Sequence, residues 1–181
     1  MPSIIYDVAV SVDGYISGPD GDISRFAHEG PVVADYQARL AQYGVAIMGR
    51  HTYEFGYRFG LEPGQNPYPN METVVFSQRI DLPADSDVRT IRSSALPALQ
   101  ELIANGDAPI YLCGGGRFAG ALLQWGLIDI LRLKRAPILL GGGVSLFGGV
   151  QSAPLMTCSE RRPYDDGYLF QEYRLVKGQA G

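Results

Sequence analysis

Two short segments place glycine and arginine where an apolar run gives way to a helix. One is Met48 to Thr52, read Met-Gly-Arg-His-Thr, and the other is Cys113 to Phe118, read Cys-Gly-Gly-Gly-Arg-Phe. Glycine lacks a Cβ, so phosphate oxygens can approach the backbone N–H groups, and a helix N-terminus adds a partial positive charge. The neighbouring arginine can donate paired hydrogen bonds to a phosphate. Each segment alone is also typical of a tight turn, but two at the ends of strands favour a dinucleotide lying across a sheet.

Other nucleotide and metal motifs do not occur in the sequence. A Rossmann Gly-x-Gly-x-x-Gly would have to follow the first strand, which instead ends in Ser11-Val-Asp-Gly14, and no Gly-Lys-Ser/Thr follows the glycines of the second segment. The two cysteines, Cys113 and Cys158, are not in Cys-x-x-Cys spacing, and there are only two histidines. We therefore expect no metal site.

Composition indicates one folded domain spanning residues 1–181. The chain has 181 residues, 46% of them hydrophobic and 19% charged, and we find no internal repeat or domain linker. The net charge of −4 argues against nucleic acid as a partner. The N-terminus has no signal-peptide pattern, and the uncharged stretch 136–159 contains two prolines and five glycines, which exclude a regular spanning helix. We expect a cytoplasmic protein without a membrane partner.

Apolar runs alternate with helical patterns along most of the chain, which predicts an α/β fold with a mostly parallel central sheet. The last two strands flank a turn at 163–167 and predict an antiparallel C-terminal hairpin. The predicted strands are 3–11, 45–48, 73–76, 88–91, 109–113, 128–140, 155–162 and 168–176. The predicted helices are 33–43, 51–55, 95–105 and 118–125, the last with Phe118, Leu122 and Trp125 on its apolar face.

The two glycine segments also carry a family resemblance. Ala46 to Glu54 and Ile110 to Phe118 resemble the two strand-to-helix turns of dihydrofolate reductases. Residues 8–18 resemble their first strand and mobile loop, and residues 73–78 resemble a further strand of theirs. In the second half, residues 120–129 and 136–143 resemble the reductase domain of bifunctional riboflavin-biosynthesis enzymes. The resemblance extends over nearly the whole chain in order.

This resemblance implies a three-layer, dihydrofolate reductase-like fold with NADPH as the hydride donor. It implies that Gly49, Arg50, His51 and Thr52 hold cofactor phosphates, and that Ser77, Gln78 and Arg79 face the adenosine phosphate. The pyrophosphate would lie on Gly114, Gly115, Gly116, Arg117 and Phe118, and the nicotinamide against Ala9 and Ile16. The cationic Arg50 and Arg79 favour NADPH over NADH.

The resemblance leaves the substrate and the proton donor open. The reductases place an acidic residue early in the first long helix, which corresponds to Asp35, although the sequence favours a solvated helix carboxylate at this position. Asp13 either reaches the substrate from its loop or only forms a turn, and a bound water is a third source of the proton. Cys113 stands where the riboflavin-type enzymes carry glutamate.

The resulting hypothesis is an NADPH-dependent reductase of a small heterocyclic, ribosylaminopyrimidine or pterin-like substrate. The alternative is a protein that binds or senses the nucleotide without turnover. We expect the turn-rich segment 12–30 to act as a lid, and the segment Leu139 to Gly143 to shape the substrate pocket or a subunit contact. A homodimer is expected because the riboflavin-type reductases dimerise and the uncharged stretch 136–159 needs cover.

Overall fold

A mixed sheet of eight strands forms the centre of the protein in this computed structural model, which describes residues 1–177. The last four residues of the expected domain, 178–181, lie outside the described residues. The strands of this sheet are β1 (Ile4–Val10), β3 (Val45–Gly49), β4 (Glu72–Phe76), β5 (Arg89–Ile91), β6 (Ile110–Gly114), β7 (Ile130–Arg135), β9 (Met156–Pro163) and β10 (Leu169–Leu175). Their order across the sheet is β5-β4-β3-β6-β1-β7-β10-β9.

The first six strands in that order run parallel, and the C-terminal hairpin adds two antiparallel strands at one edge. Four helices connect them, namely α1 (Pro31–Leu40), α2 (Arg50–Phe55), α3 (Ala95–Asn105) and α4 (Gly116–Gln124). The apolar residues of α3 and α4 pack in one cluster with one face of the sheet, while those of α1 and α2 pack in a second cluster on the opposite face. The predicted three-layer α/β fold with an antiparallel hairpin is confirmed.

Several element bounds differ from the prediction for physical reasons. Helix α1 begins at Pro31, where a fixed φ suits the first helical position, and ends at Leu40, three residues before the predicted end. Strand β7 ends at Arg135 instead of continuing to residue 140, since Pro137 has no N–H with which to extend the ladder. Trp125 was predicted on the apolar face of α4 but follows the end of that helix and is 40% exposed.

A small second sheet was not predicted from the sequence. Strand β2 (Tyr15–Ser17) pairs antiparallel with the two-residue strand β8 (Val144–Ser145). This pairing brings the segment after β1 against the loop that contains the second glycine triplet. A Cβ on Gly143, whose φ is +120°, would collide with the carbonyl of Ser17, so this glycine is required by a close approach of two backbones.

No helix within the described range 1–177 has the length and hydropathy needed to cross a membrane. Among the same residues, no group of three or more His, Cys, Asp or Glu side chains could hold a metal ion.

Candidate functional site

The two glycine turns lie side by side at the carboxyl ends of neighbouring parallel strands. Strands β3 and β6 are adjacent, with Met48 opposite Gly114 in the ladder. Gly49 is the N-cap of α2 and Gly115 is the N-cap of α4. A Cβ on Gly115 would lie 3.1 Å from Oγ1 of Thr52, and one on Gly49 would lie 3.7 Å from Cβ of Phe118. The sheet thus joins the two predicted phosphate-binding segments into one cradle.

The chemistry of this cradle fits an anionic group. Both N-cap residues are glycines, which have no side chain with which to cap the first-turn N–H groups. Gly114 has a φ of +127°, a conformation that side chains other than glycine rarely adopt. Arg117, in the first turn of α4, is exposed at the rim.

Arg50 and His51 also lie at this edge, with partners of their own. The guanidinium of Arg50 is 3.0 Å from a carboxylate oxygen of Glu54 one turn later, and both side chains are about one third exposed. Arg50 is also 3.3 Å from Nε2 of the exposed His51. An ion pair this exposed is weak, so a phosphate could compete for Arg50.

The end of β4 forms the adjoining part of the same edge. The ring of Phe76 packs against that of Phe118 with centroids 5.1 Å apart and planes tilted by 31°, which links β4 to the first turn of α4. The hydroxyl of Ser77 accepts the N–H groups of Arg79 and Ile80 and so folds the chain into a turn. The side chains of Gln78 and Arg79 are exposed on this turn, where the resemblance places the adenosine phosphate.

A cavity of about 330 Å³ opens on the α1 face of the sheet. Ala9 of β1 and Cys113 of β6 line it, together with Tyr36 of α1. Ile16, the second predicted nicotinamide contact, is half-buried on β2 and is not a lining residue. Because Cys113 immediately precedes the glycine triplet, the cavity and the cradle are joined along β6.

A buried group of charges forms one wall of this cavity, and it was not predicted from the sequence. Asp7 of β1 is 1% exposed, and its carboxylate accepts hydrogen bonds from Lys134 at 2.9 Å and from Arg39 at 2.8 and 3.2 Å. The hydroxyl of Tyr43 donates a further bond to it at 3.2 Å. Burial alone would raise the pKa of Asp7, but Lys134 and Arg39 hold that pKa below its usual value.

Lys134 is the other half of this ion pair, and 7% of the residue is exposed. Burial lowers the pKa of Lys134, against the opposing effect of Asp7. The sequence offered a signal for Asp7, which is the lone charged residue of an otherwise apolar strand, but none for Lys134, which shares its strand with Arg132 and Arg135. A charge in such a place is rarely buried without a partner.

Tyr36 and Tyr111 line another side of the cavity, and Tyr68 contacts the lining residue Cys113. The hydroxyls of Tyr36 and Tyr111 are 2.6 Å apart, and the hydroxyl of Tyr68 is 3.3 Å from Sγ of Cys113. Burial raises the pKa of Tyr111 and of Tyr68 well above the usual value, and it raises the pKa of the Cys113 thiol. A neutral thiol in this setting behaves as a small packing residue and not as a nucleophile.

Asp13, the first predicted acid, is held as a hydrogen-bond acceptor in the loop after β1. Its carboxylate accepts the hydroxyl of Ser11 at 2.6 Å, the N–H of Gly141 at 2.7 Å and the N–H of Leu140 at 3.1 Å. The bonds from Ser11 and Gly141 lower the pKa of Asp13 to about 2. So little of this carboxyl is protonated at neutral pH that it is poorly suited to donate a proton.

Asp35, the second predicted acid, lies on α1 but is not a lining residue of the cavity. Its carboxylate accepts the hydroxyl of Tyr164 at 2.7 Å and the guanidinium of Arg162 at 2.9 Å. These bonds lower the pKa of Asp35, the bond from Tyr164 most of all. The structure therefore pairs Asp35 with the C-terminal hairpin and gives no geometric support to its predicted role toward the substrate.

The predicted lid, residues 12–30, is attached at several points along its length. Arg25 donates a hydrogen bond to the carbonyl of Leu139 at 2.7 Å, and the N–H of Ala27 binds the hydroxyl of Tyr168 at 2.6 Å. Phe26 is buried in a third apolar cluster with Val32 and Tyr168. Its action as a lid stays a prediction.

Comparison with known proteins agrees with this architecture. The model of the RibD C-terminal domain family matches residues 2–170. The uncharacterized protein YyaP of Bacillus subtilis (strain 168) is 25% identical over 175 residues, which cover 92% of this chain and 91% of that protein. Among solved structures, a protein from Shewanella sp. PV-4 named for riboflavin biosynthesis is 25% identical, with a TM-score of 0.81, and the match covers 97% of this chain and 99% of that one. Dihydrofolate reductase from Enterococcus faecalis, solved with NADP(H), shares the fold at 16% identity and a TM-score of 0.71 over 96% of each chain.

Proposed function

The chain belongs to the RibD C-terminal domain family, and from that membership we propose that it is an NADPH-dependent reductase of a small heterocyclic substrate. Within this proposal, bound NADPH supplies a hydride, and the protein supplies binding, orientation and exclusion of water. The substrate is of the ribosylaminopyrimidine or pterin-like kind that the sequence resemblance implies.

The observation that carries this proposal is the position of the cradle relative to the cavity. Gly49 and Gly115 are the N-caps of two helices that start at adjacent strand ends. Because glycine has no side chain to cap them, the first-turn N–H groups of these helices can receive a pyrophosphate. The same edge of the sheet carries three arginines that can bind the remaining phosphate charge, namely Arg50, Arg79 and Arg117. The cavity starts one residue before the glycine triplet, at Cys113, which is where a dinucleotide bound in the cradle would meet a second ligand.

Titration of the protein with NADPH, followed by cofactor fluorescence and by calorimetry, tests the first half of this proposal. We expect saturable binding with a stoichiometry of one per chain and a weaker response to NADH. Absence of binding at millimolar NADPH would overturn the proposal. Loss of NADPH absorbance with dihydrofolate, a ribosylaminouracil phosphate or a quinone then tests for turnover.

A second candidate, binding of the nucleotide without turnover, is favoured by one observation. Asp13 and Asp35, the two acids predicted from the sequence, are both committed to hydrogen bonds within the protein. A protein that only senses the cofactor needs no proton donor. Tight NADPH binding with no oxidation of the cofactor by any acceptor would favour this candidate over the reductase.

A further inference from the structure

The cavity beside the cradle contains one buried cation, and it is held in place by a buried anion. Within the described lining, Lys134 is the cationic side chain that is buried, and its Nζ is 2.9 Å from Oδ1 of Asp7. The same nitrogen lies 3.6 Å from the centroid of the Tyr36 ring, which forms part of the wall. An ammonium group has three N–H donors, so one bond to Asp7 leaves donor capacity for a ligand in the cavity.

The position of Lys134 in the sheet brings it next to the predicted nicotinamide contact. Strands β1 and β7 are parallel neighbours, and Ala9 is the direct partner of Lys134 in their register. Partners in adjacent strands point to the same face of a sheet. The lysine and Ala9 therefore line the same cavity wall, and both are lining residues.

The charges of this wall differ from those that suit a cationic ring. The resembling dihydrofolate reductases present an acidic residue to the pterin, but Asp35 binds Tyr164 and Arg162 instead. The carboxylate that does line the cavity, Asp7, already accepts bonds from Lys134 and Arg39. The protonated amidine of a cationic pterin would be repelled by the Lys134 ammonium, whereas a carbonyl oxygen would accept a hydrogen bond from it.

The same wall lacks the usual means of binding a phosphate group. Among the described residues that line the cavity there is no arginine. Arg39 contacts the lining residue Asp7, but its side chain is 12% exposed and its guanidinium is bound to that carboxylate. His28, at the exposed end, is the other lining side chain able to carry a positive charge. Recognition of a phosphate usually uses the paired donors of arginine.

We propose that Lys134 is the substrate-anchoring and proton-donating residue of this site, and that the substrate is a small carbonyl compound that carries neither a positive charge nor a phosphate group. This inference rests on the proposed function, because it assigns the proton donor and the substrate class of that same reductase. It excludes a cationic pterin and a phosphorylated ribosylaminopyrimidine as the substrate.

The chemical step balances with the groups named. Bound NADPH would supply the hydride that forms the new C–H bond at the carbonyl carbon, and NADP⁺ would be released; the electron pair of the C=O π bond would then rest on the oxygen. The Lys134 ammonium gives its proton to that oxygen, which completes an alcohol. The neutral amine then regains a proton from water. Burial lowers the pKa of Lys134, which makes the ammonium a better acid than an exposed lysine.

Ligand binding without cofactor tests the assignment, with fluorescent lumazine and pterin as probes. The two share one bicyclic ring and differ where lumazine has a carbonyl and pterin has an amino group, so the pair isolates the preference for an acceptor oxygen. We expect the wild-type protein to bind lumazine more tightly than pterin. The reverse order would overturn the proposal.

The matched variants are Lys134→Met and Lys177→Met, since the chain has only these two lysines. Lys177 is 63% exposed, pairs with Asp129 and is not a lining residue of the cavity. We expect Lys134→Met to weaken lumazine binding by about 10- to 100-fold, the value of a hydrogen bond from a charged donor, and Lys177→Met to leave it unchanged. Unchanged lumazine affinity in Lys134→Met would overturn the proposal.

The triple variant Asp7→Asn/Arg39→Met/Lys134→Met removes all three charges of the buried group, so no charge is left without a partner and the test stays valid if the single change unfolds the protein. It should bind NADPH within a few-fold of wild type and lose lumazine binding. NADPH binding in the wild type is measured separately, so its absence would overturn the proposed function, whereas NADPH binding without a lumazine preference would overturn only the present inference.

The phosphate part of the proposal has its own comparison. Ribosylaminouracil is titrated with and without its 5′-phosphate against wild type and His28→Ala. Equal or weaker binding of the phosphorylated form supports the proposal. Tighter binding of the phosphorylated form, reversed by His28→Ala, would show that the exposed histidine is a phosphate contact and would overturn the phosphate-free assignment.

Discussion

Lys134 of β7 and Asp7 of β1 form an ion pair of 2.9 Å across two adjacent parallel strands, with the carboxylate fully buried. Arg39 reaches the same carboxylate from α1, so one carboxylate joins two strands and a helix. A buried carboxylate needs such partners, because an unpaired charge inside a protein is strongly destabilising. The pair therefore links the stability of the sheet to the wall of the candidate active site.

Asp7→Asn should lower the free energy of unfolding by about 3–5 kcal/mol, because it leaves Lys134 and Arg39 without a countercharge. Urea denaturation followed by circular dichroism measures the loss. Asp85→Asn, at an exposed position, is the control and should match wild type. A midpoint for Asp7→Asn equal to that of the control would contradict the role given to this pair.

The stability lost in Asp7→Asn should depend on pH. The pKa of Asp7 is lowered in the folded state, so its stabilising contribution is fully present above the unfolded value of about 3.9. That contribution is lost as the pH falls through the lower, folded-state pKa. The difference in unfolding free energy between wild type and Asp7→Asn should therefore be wide at pH 7 and narrow below about pH 4. A gap independent of pH would show that the carboxylate charge is not what stabilises this region.

Gly49→Ala should weaken NADPH binding by about 10-fold, or about 1.4 kcal/mol, without unfolding the protein. Gly49 has a φ of −82°, and an added Cβ would meet Cβ of Phe118 at 3.7 Å, an ordinary contact. The methyl group would instead occupy space that the cradle leaves for phosphate oxygens. Gly142→Ala, where an added Cβ has no neighbour within 4 Å, is the control. Equal NADPH affinity in the two variants, measured by calorimetry, would remove Gly49 from the cofactor site.

Arg79→Ala should reduce the preference for NADPH over NADH by about 5- to 10-fold, since a guanidinium pairs well with a 2′-phosphate. Arg79 is exposed on the turn after β4, so the loss should fall on NADPH while the affinity for NADH stays constant. The two dissociation constants are measured by cofactor fluorescence, with Arg161→Ala on the far edge strand β9 as the control. Parallel weakening of both cofactors would assign Arg79 a general role and not a 2′-phosphate contact.

Asp13→Asn should lower the Tm and change kcat by only a few-fold. Its carboxylate holds the loop at Leu140 and Gly141, and a pKa of about 2 leaves it ionised at neutral pH. Removal of a true general acid would cost about 100-fold or more in kcat. A loss of that size with an unchanged KM, once a turnover assay exists, would restore Asp13 as the proton donor.

The expected homodimer is tested by sedimentation of the wild type and of Leu155→Lys. Leu155 is 78% exposed and Met156, which begins the edge strand β9, is 47% exposed. An apolar surface beside an unpaired strand edge is a natural place for association. We expect a dimer that the lysine substitution shifts to a monomer, and a wild-type monomer near 19.7 kDa would contradict the expectation.

Much of the scaffold could be predicted because its signals are local. Apolar runs ending in glycine identify β3 and β6 and the helices that follow them, and the order of these elements carries the family resemblance. The first and last residues of the helices and strands were less predictable where tertiary packing overrides the periodicity of apolar residues. Trp125 has helical spacing from Phe118, yet the helix ends before it and 40% of it is exposed.

The sequence by itself determined that the protein has an α/β fold with two glycine-arginine turns. Each strand, helix and turn depends on about ten neighbouring residues, so its signal is local. Only the tertiary structure decided which charges meet. Asp7 and Lys134 are 127 positions apart, and Asp13 and Asp35 find partners on loops and strands of the second half of the chain. Ion pairs depend on distance in space and on burial, and neither can be derived from spacing along the chain.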